Sequence, residues 1–211
     1  MPARRTAALL LLLTVLTSCA RGGTTEGGHP APSPSAPPRT TAAPSPVSDP
    51  TDAAWLQLMI PMDEQAVTLL GLAAEKADPR LRVWAARLRT AQTTELAELR
   101  KLRDRMGLPD TDLHKGHDMP GMVTAADLED ARTAEGPAFD RLLVAQIRDH
   151  LRQSEQVSRS ETTAGTRADA TAQARALVTA RGEQLADLAA LCAGKAADVP
   201  EPFACPSDHP V

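Results

Sequence analysis

Aromatic side chains are scarce in this chain. It has two Phe, two Trp and no Tyr, so aromatic residues make up 2% of its 211 positions. Surfaces that stack nucleic-acid bases depend on such side chains, and a net charge of −4 lacks the basic excess that nucleic acid attracts. We therefore expect no nucleic-acid partner. A β-sandwich is also disfavoured, because its strands are rich in β-branched and aromatic residues.

Familiar catalytic motifs are lacking as well. The sequence has no glycine-rich phosphate loop, no Gly-x-Ser-x-Gly elbow and no His-Glu-x-x-His zinc motif. A di-iron bundle needs a pair of Glu-x-x-His motifs on facing helices. Here Glu64 and Glu95 are followed three positions later by Val67 and Glu98. We therefore expect a protein that is not an enzyme.

The apolar run near the N-terminus, residues 7–16, is too short to span a membrane as a helix. Two arginines precede it, and the tetrapeptide Leu-Thr-Ser-Cys ends it at Cys19. Small residues directly before a cysteine resemble a bacterial lipobox, in which the thiol is lipidated and the preceding peptide removed. We predict a lipoprotein signal peptide over 1–18, a lipid on Cys19, and a location on the extracytoplasmic face of the bacterial cell membrane. A plain secretory signal with an incidental cysteine is the alternative.

Residues 19–50 have the composition of a tether. Eight of the 18 prolines lie between Pro30 and Pro50, among Ser, Thr, Ala and Gly. Such a segment has too little apolar surface to offset the entropy of ordering it, and its prolines keep it extended. We expect it to hold a folded domain away from the membrane.

Two cysteines remain once Cys19 is assigned to lipid. Cys192 and Cys205 form an even pair in an oxidising compartment, with Gly194, Pro200 and Pro202 between them. We predict a disulfide that attaches the C-terminal tail, 194–211, to the last helix. Two free thiols or a soft-metal pair are the alternatives.

The segment 51–193 is rich in Ala, Leu, Arg, Glu and Gln, which favour helices. Apolar residues recur at intervals of three and four from Trp55 to Ala73, from Leu81 to Met106, from Phe139 to Val157 and from Ala174 to Cys192. A short helix is predicted after Thr124. The pattern predicts an all-α, ferritin-like four-helix bundle, although an up-and-down arrangement fits equally.

The helices also suggest an internal repeat. The segment 59–65 of the first long helix corresponds to 147–153 of the third, about 88 residues later. Leu88, Gln92 and Leu96 have the same spacing as Leu177, Arg181 and Leu185. We therefore expect two repeated helical hairpins.

At these residues the chain resembles domain-of-unknown-function family 305, secreted or lipid-anchored bacterial proteins with a ferritin-like bundle. The resemblance covers about residues 50–191. It is carried by Met59-Ile60-Pro61, Gln65-Ala66-Val67, Ala91-Gln92 with Glu95-Leu96, Met119-Pro120-Gly121-Met122 and Gly136 with Phe139-Asp140.

The resemblance implies a metal site, with copper the favoured ion. Family members are similar in carrying a His-His pair after Met-Ile-Pro and another in the third long helix. Here those positions hold Met62 and Asp63, and His150 and Leu151. Met62, Glu95 and His150 are therefore the candidate metal ligands inside the bundle, and plain core packing is the alternative for Met62 and His150.

Arg181 changes the expected chemistry of that interior. It lies on the apolar stripe of the last helix, where its positive charge would repel a cation. We predict that it forms a buried ion pair with Asp63 or Glu95, which fixes geometry more than it adds stability.

The connection over 107–123 offers a second metal candidate. His114, His117, Met119 and Met122 lie within nine residues, and imidazole with thioether suits copper. A solvated loop whose methionines dock on the bundle is the alternative.

Two functions follow from these patterns. One is an envelope lipoprotein that binds without catalysis and holds copper or another metal weakly. The other is a metal-free scaffold that contacts another envelope protein.

Overall fold

The computed structural model of this chain describes residues 49–194 and residue 205. The predicted signal peptide, Cys19, nearly all of the tether and most of the tail lie outside these residues. The described part contains helices and no strand, as the all-α prediction requires. The helices are α1 (Pro50–Lys76), α2 (Pro79–Arg105), α3 (Ala125–Thr133), α4 (Gly136–Ala164) and α5 (Ala168–Cys192).

Aspartate followed by proline begins both α1 and α2. The Asp49 and Asp78 side chains each accept a hydrogen bond from the backbone N–H two residues later, at 2.8 and 2.9 Å. Proline fits the first helical position, because its fixed φ suits the helix and its missing N–H has no partner there. At α3 the side chains of Thr124 and Asp127 form a capping box, so the predicted start of this short helix is confirmed.

The four long helices form a bundle in which α1 packs against α2 and α4, and α5 packs against α4 and α2. The pairs α1–α5 and α2–α4 therefore face each other across its diagonals. Trp55, at the start of α1, contacts Ser158 near the end of α4, so these two helices are antiparallel. The long connection that contains α3 returns the chain to the end of the bundle where α2 begins, so α4 runs parallel to α2. Of the two predicted arrangements, this topology is the ferritin-like one.

A polar layer divides the core of the bundle into two apolar clusters. The first cluster lies around Leu69, Phe139 and Ile147, and the second around Leu56, Leu99 and Leu177. Between them are buried or nearly buried polar side chains. These are Asp63, Gln92, Glu95, His150, Ser154 and Arg181. Every long helix contributes to this layer, so it lies where the four helices meet.

The predicted apolar stripes are correct with two local exceptions. The spacing of the stripe from Leu81 to Met106 places Ala91 on the buried face of α2, but Ala91 is exposed and Gln92 is buried instead. The stripe predicted for α4 ends at Val157, yet Ser158 and Glu161 in the polar turns that follow are buried. Both positions follow the 3.6-residue period, so in each case helix geometry decided burial against the polarity of the side chain.

The predicted disulfide between Cys192 and Cys205 is present. Their Cα atoms lie 5.6 Å apart, and both residues pack against the first apolar cluster. The bond therefore attaches the tail to the end of α5. Within the described residues, no helix combines the length and apolar character needed to cross a membrane.

Candidate functional site

Arg181 is the central side chain of the polar layer. It is fully buried on α5, and its guanidinium Nη2 donates to Asp63 Oδ1 on α1 at 3.0 Å. Its Nη1 donates to Glu95 Oε2 on α2 at 2.6 Å. The sequence predicted a pair with one carboxylate or the other, whereas the structure places the guanidinium against both.

Two neutral groups complete the surroundings of this guanidinium. Arg181 Nε donates to Ser154 Oγ on α4 at 2.8 Å, and Nη1 also donates to Gln184 Oε1 at 3.0 Å. The group therefore has a hydrogen-bonded partner on each of the four long helices. A planar guanidinium with several fixed donors suits this role, and a lysine ammonium would not reproduce it.

A second polar contact crosses the other diagonal of the bundle. The Gln92 side-chain nitrogen lies 3.1 Å from His150 Nε2, and both residues are fully buried. In the repeat, Gln92 corresponds to Arg181, so equivalent positions of the two hairpins each reach across a diagonal. His150 Nε2 also lies 3.5 Å from Asp63 Oδ1.

The charge states in this layer follow from burial. Removal from water, together with the charge of Glu95, raises the pKa of Asp63 to about 7, although Arg181 opposes the shift. One guanidinium balances one carboxylate, so a proton on Asp63 leaves the three groups neutral as a set. Burial and the neighbouring Arg181 lower the pKa of His150 to about 3, so its imidazole is neutral.

The residues at this centre do not fit the metal site that the family resemblance implies. The guanidinium holds oxygen atoms of both Asp63 and Glu95, and its fixed positive charge repels a cation. His150 is buried beside it, and Met62 is a buried core residue. Across residues 49–194 and 205, no three His, Cys, Asp or Glu side chains are grouped so that they could hold a metal ion.

The second metal candidate, the loop before α3, has a different geometry. The His114 and His117 rings lie 6.3 Å apart, centroid to centroid. Both line a surface cavity with Asp118 and Met122, and Met122 is buried. Met119 is half-buried and is not among the residues that line this cavity.

The Met-Pro-Gly-Met segment is a turn docked on α4. Met122 N–H donates to the Met119 carbonyl at 3.0 Å, and Gly121 has a φ of +71°. A Cβ on Gly121 would lie 2.3 Å from Gln153 Cβ and 2.8 Å from the Asp149 carbonyl oxygen. Glycine is required here both by the backbone conformation and by the close approach to α4 at Asp149 and Gln153, which lie on either side of His150 in the sequence.

Sequence reasoning missed some residues of this part of the molecule. Ser154 was not assigned a role, although it lies four residues after His150 on the same stripe. Ser158 and Glu161 continue that stripe toward the end of α4. The helical period was the signal that could have found all three, because it places polar residues at core positions.

The fold and the site define a ferritin-like helical bundle protein with a buried polar layer at its centre. A family model described as "Domain of unknown function (DUF305)" matches residues 51–192, and the chain belongs to this family. Among curated proteins, none matches the chain.

Two solved structures are similar to the chain. One is a DUF305 protein from Streptomyces coelicolor that is described as a candidate secreted protein. It has 20% sequence identity and a TM-score of 0.61, with 72% of this chain and 97% of that chain covered. The other is a DUF305 fragment from Deinococcus radiodurans, with 16% identity and a TM-score of 0.61, covering 69% of this chain and 97% of that one. At these identities the likeness shows the fold.

Proposed function

We propose that this protein is a lipid-anchored, extracytoplasmic bundle that acts without catalysis as a metal-free scaffold for another envelope protein. The observation that carries the proposal is the position of Arg181. Its guanidinium binds one carboxylate oxygen of Asp63 and one of Glu95, and its positive charge stands where a metal ion bound by these carboxylates would lie. The polar layer therefore holds the four long helices in a fixed arrangement.

The proposed location depends on the N-terminal sequence. The apolar run that ends at Cys19 supports lipidation, and the secreted description of the Streptomyces relative is compatible with export. Changing Cys19 to Ala should move the protein from the membrane fraction to the soluble extracytoplasmic fraction. Cys205→Ala is the matched control and should leave the protein in the membrane fraction. Retention of the Cys19→Ala protein on membranes would overturn lipid anchoring.

A copper titration of the full chain, under reducing and oxidising conditions, tests whether the bundle is metal-free. We expect no stoichiometric binding that depends on His150 or Glu95, because Arg181 occupies the position between the carboxylates. Tight binding that His150→Ala abolishes would overturn the metal-free interior.

The scaffold role needs its own test. A photo-cross-linker placed at the exposed Val83 or Leu113 should give a discrete product in the membrane fraction of cells. The Cys19→Ala protein should lose that product if anchoring brings the partners together. Absence of any product from exposed positions over the whole bundle would contradict an envelope partner.

A second candidate function, weak copper binding, is favoured by the loop. His114 and His117 face one cavity at a separation of 6.3 Å between ring centroids, and the Met122 side chain lines the same cavity. Imidazole and thioether are ligands that suit copper. Copper binding that is lost in the His114→Ala, His117→Ala double variant, and kept in His150→Ala, would establish this function. Unchanged binding in the double variant would exclude the loop.

A further inference from the structure

Asp52 and Glu161 form a buried pair of carboxyl groups at one end of the bundle. Asp52 lies in the first turn of α1 and Glu161 in the last turn of α4. Their residues are 0% and 1% exposed, although both are acidic. Isolated buried charges are costly, so two acids placed together in the protein interior require an explanation.

Asp52 connects the turn between α4 and α5 to the start of α1. Its carboxylate accepts from the Thr166 N–H at 3.1 Å, the Thr166 hydroxyl at 3.2 Å and the Arg167 N–H at 3.1 Å. These bonds satisfy backbone donors at the beginning of α5. The turn is thus attached to α1 through one side chain.

Glu161 has no comparable partners. Among the described residues, neither of its carboxyl oxygens accepts a hydrogen bond. The one hydrogen bond open to the group is with Asp52, and it requires a proton between the two carboxyl groups. The group lies directly beneath the turn, where a Cβ on Gly165 would be 2.2 Å from Glu161 Oε1. This close contact leaves the carboxyl group enclosed by the turn it supports.

The charged groups around Glu161 are acidic. Asp52 of α1 and Asp49, the N-cap residue before it, face Glu161, and the Arg167 guanidinium from the turn is held by Asp169 at 2.9 and 3.0 Å. Arg105 of α2 reaches Asp169 as well, at 3.6 Å. Burial, followed by the hydrogen bond and charge of Asp52, raises the pKa of Glu161 to about 8.

We propose that Glu161 and Asp52 share one proton, and that this proton holds the α4–α5 turn closed on the start of α1. When the proton is lost to solvent in alkaline solution, two adjacent carboxylates repel each other and this end of the bundle opens. Asp52, Glu161 and the α4–α5 turn therefore form a pH-sensitive contact, which we call the latch, at the end of the bundle where α1 begins.

The direction of the pH effect follows from linkage. The folded protein keeps the proton up to about pH 8, whereas an unfolded glutamate loses it near 4.5. Its contribution to stability is therefore complete below pH 4.5 and is lost as the pH rises to about 8. From this one group, the equilibrium constant for unfolding rises by up to about tenfold per pH unit in that window.

The two tryptophans allow a local test in the full chain. Trp55 Nε1 donates to Ser158 Oγ at 3.4 Å, one helical turn from both Asp52 and Glu161. Trp84 belongs to the other apolar cluster. A Trp84→Phe variant thus reports on the latch, and a Trp55→Phe variant reports on the opposite cluster.

We expect Trp55 fluorescence in the Trp84→Phe variant to change reversibly with a midpoint near pH 8, while Trp84 fluorescence in Trp55→Phe stays constant. Glu161→Gln keeps the size of the side chain and can donate its amide to Asp52, so it should abolish the transition. Asp52→Asn removes the neighbouring charge and should move the midpoint to lower pH.

Hydrogen exchange in the chain with both tryptophans gives a second measurement that does not depend on those variants. Protection of the Thr166 and Arg167 amides should fall across the same pH range and stay constant in Glu161→Gln. An unchanged midpoint in Glu161→Gln, or a transition that both tryptophans report equally, would overturn the latch. Stabilisation by calcium chloride that Glu161→Gln removes would show a cation site in place of a shared proton.

Discussion

Arg181 donates to Asp63 at 3.0 Å across a diagonal of the bundle, and neither side chain is exposed. The contact joins α5 to α1, two helices that do not pack side by side. Because Glu95 and Ser154 bind the same guanidinium, all four long helices are linked through one side chain.

Replacing Arg181 by Leu should destabilise the protein by about 3–5 kcal/mol, because it leaves Asp63 and Glu95 buried without their cation. Urea unfolding at pH 7.5 measures this loss. Arg175→Leu, at an exposed position six residues earlier on α5, is the matched control and should change stability by less than about 0.5 kcal/mol. Equal effects of the two substitutions would show that the buried cluster does not hold the helices together.

The stability of Asp63→Asn relative to the natural chain should increase as the pH rises. The pKa of Asp63 is raised from 3.8 to about 7 in the folded protein, so its proton contributes stability that is complete below pH 3.8 and lost as the pH passes 7. Asparagine keeps the acceptor for Arg181 and cannot ionise. Unfolding free energies of both proteins at pH 4, 5.5, 7 and 8.5 measure the difference.

This comparison also separates Asp63 from His150. The lowered pKa of His150 has the opposite effect, since stability is lost as the pH falls below 6.5 toward 3. That effect is common to both proteins and cancels in their difference. A difference that is constant from pH 4 to 8.5 would mean that Asp63 stays ionised throughout.

Gly121→Ala should destabilise the protein more than Gly116→Ala does. Both glycines have positive φ, at +71° and +78°, so each substitution carries backbone strain of about 1–2 kcal/mol. Only at Gly121 would the new Cβ collide with Gln153 and the Asp149 carbonyl, which adds about 1–3 kcal/mol. Thermal unfolding of both variants measures the contrast, and similar losses would argue against tight docking of the turn on α4.

Breaking the disulfide between Cys192 and Cys205 should cost about 3 kcal/mol, the loop-closure value for a sequence separation of 13. The Cys192→Ser, Cys205→Ser double variant removes the bond without a reductant. Its free energy of unfolding should match that of the natural chain in reducing buffer. A reduced natural chain as stable as the oxidised one would show that the bond does not restrict the unfolded chain.

Sequence periodicity predicted most of the fold because burial and the helical repeat act together along each helix. The stripe from Trp55 to Ala73 is buried throughout, and Thr124 begins α3 as predicted. The stripe predicted for α4 ends at Val157 and does not include Glu161, which is nevertheless buried. A carboxyl group can be buried at a core position once a neighbour such as Asp52 shares its proton, and no local pattern reveals that neighbour.

The sequence by itself determined the helices, their apolar faces, the cysteine pair and the replacement of expected histidines by Met62, Asp63 and Leu151. These features depend on residues close together in the chain, where spacing fixes geometry. Only the tertiary structure decided that Arg181 meets both Asp63 and Glu95, and that Asp52 lies beside Glu161. These contacts join residues about 90 to 120 positions apart, and their charge states depend on burial that arises only when the four helices pack.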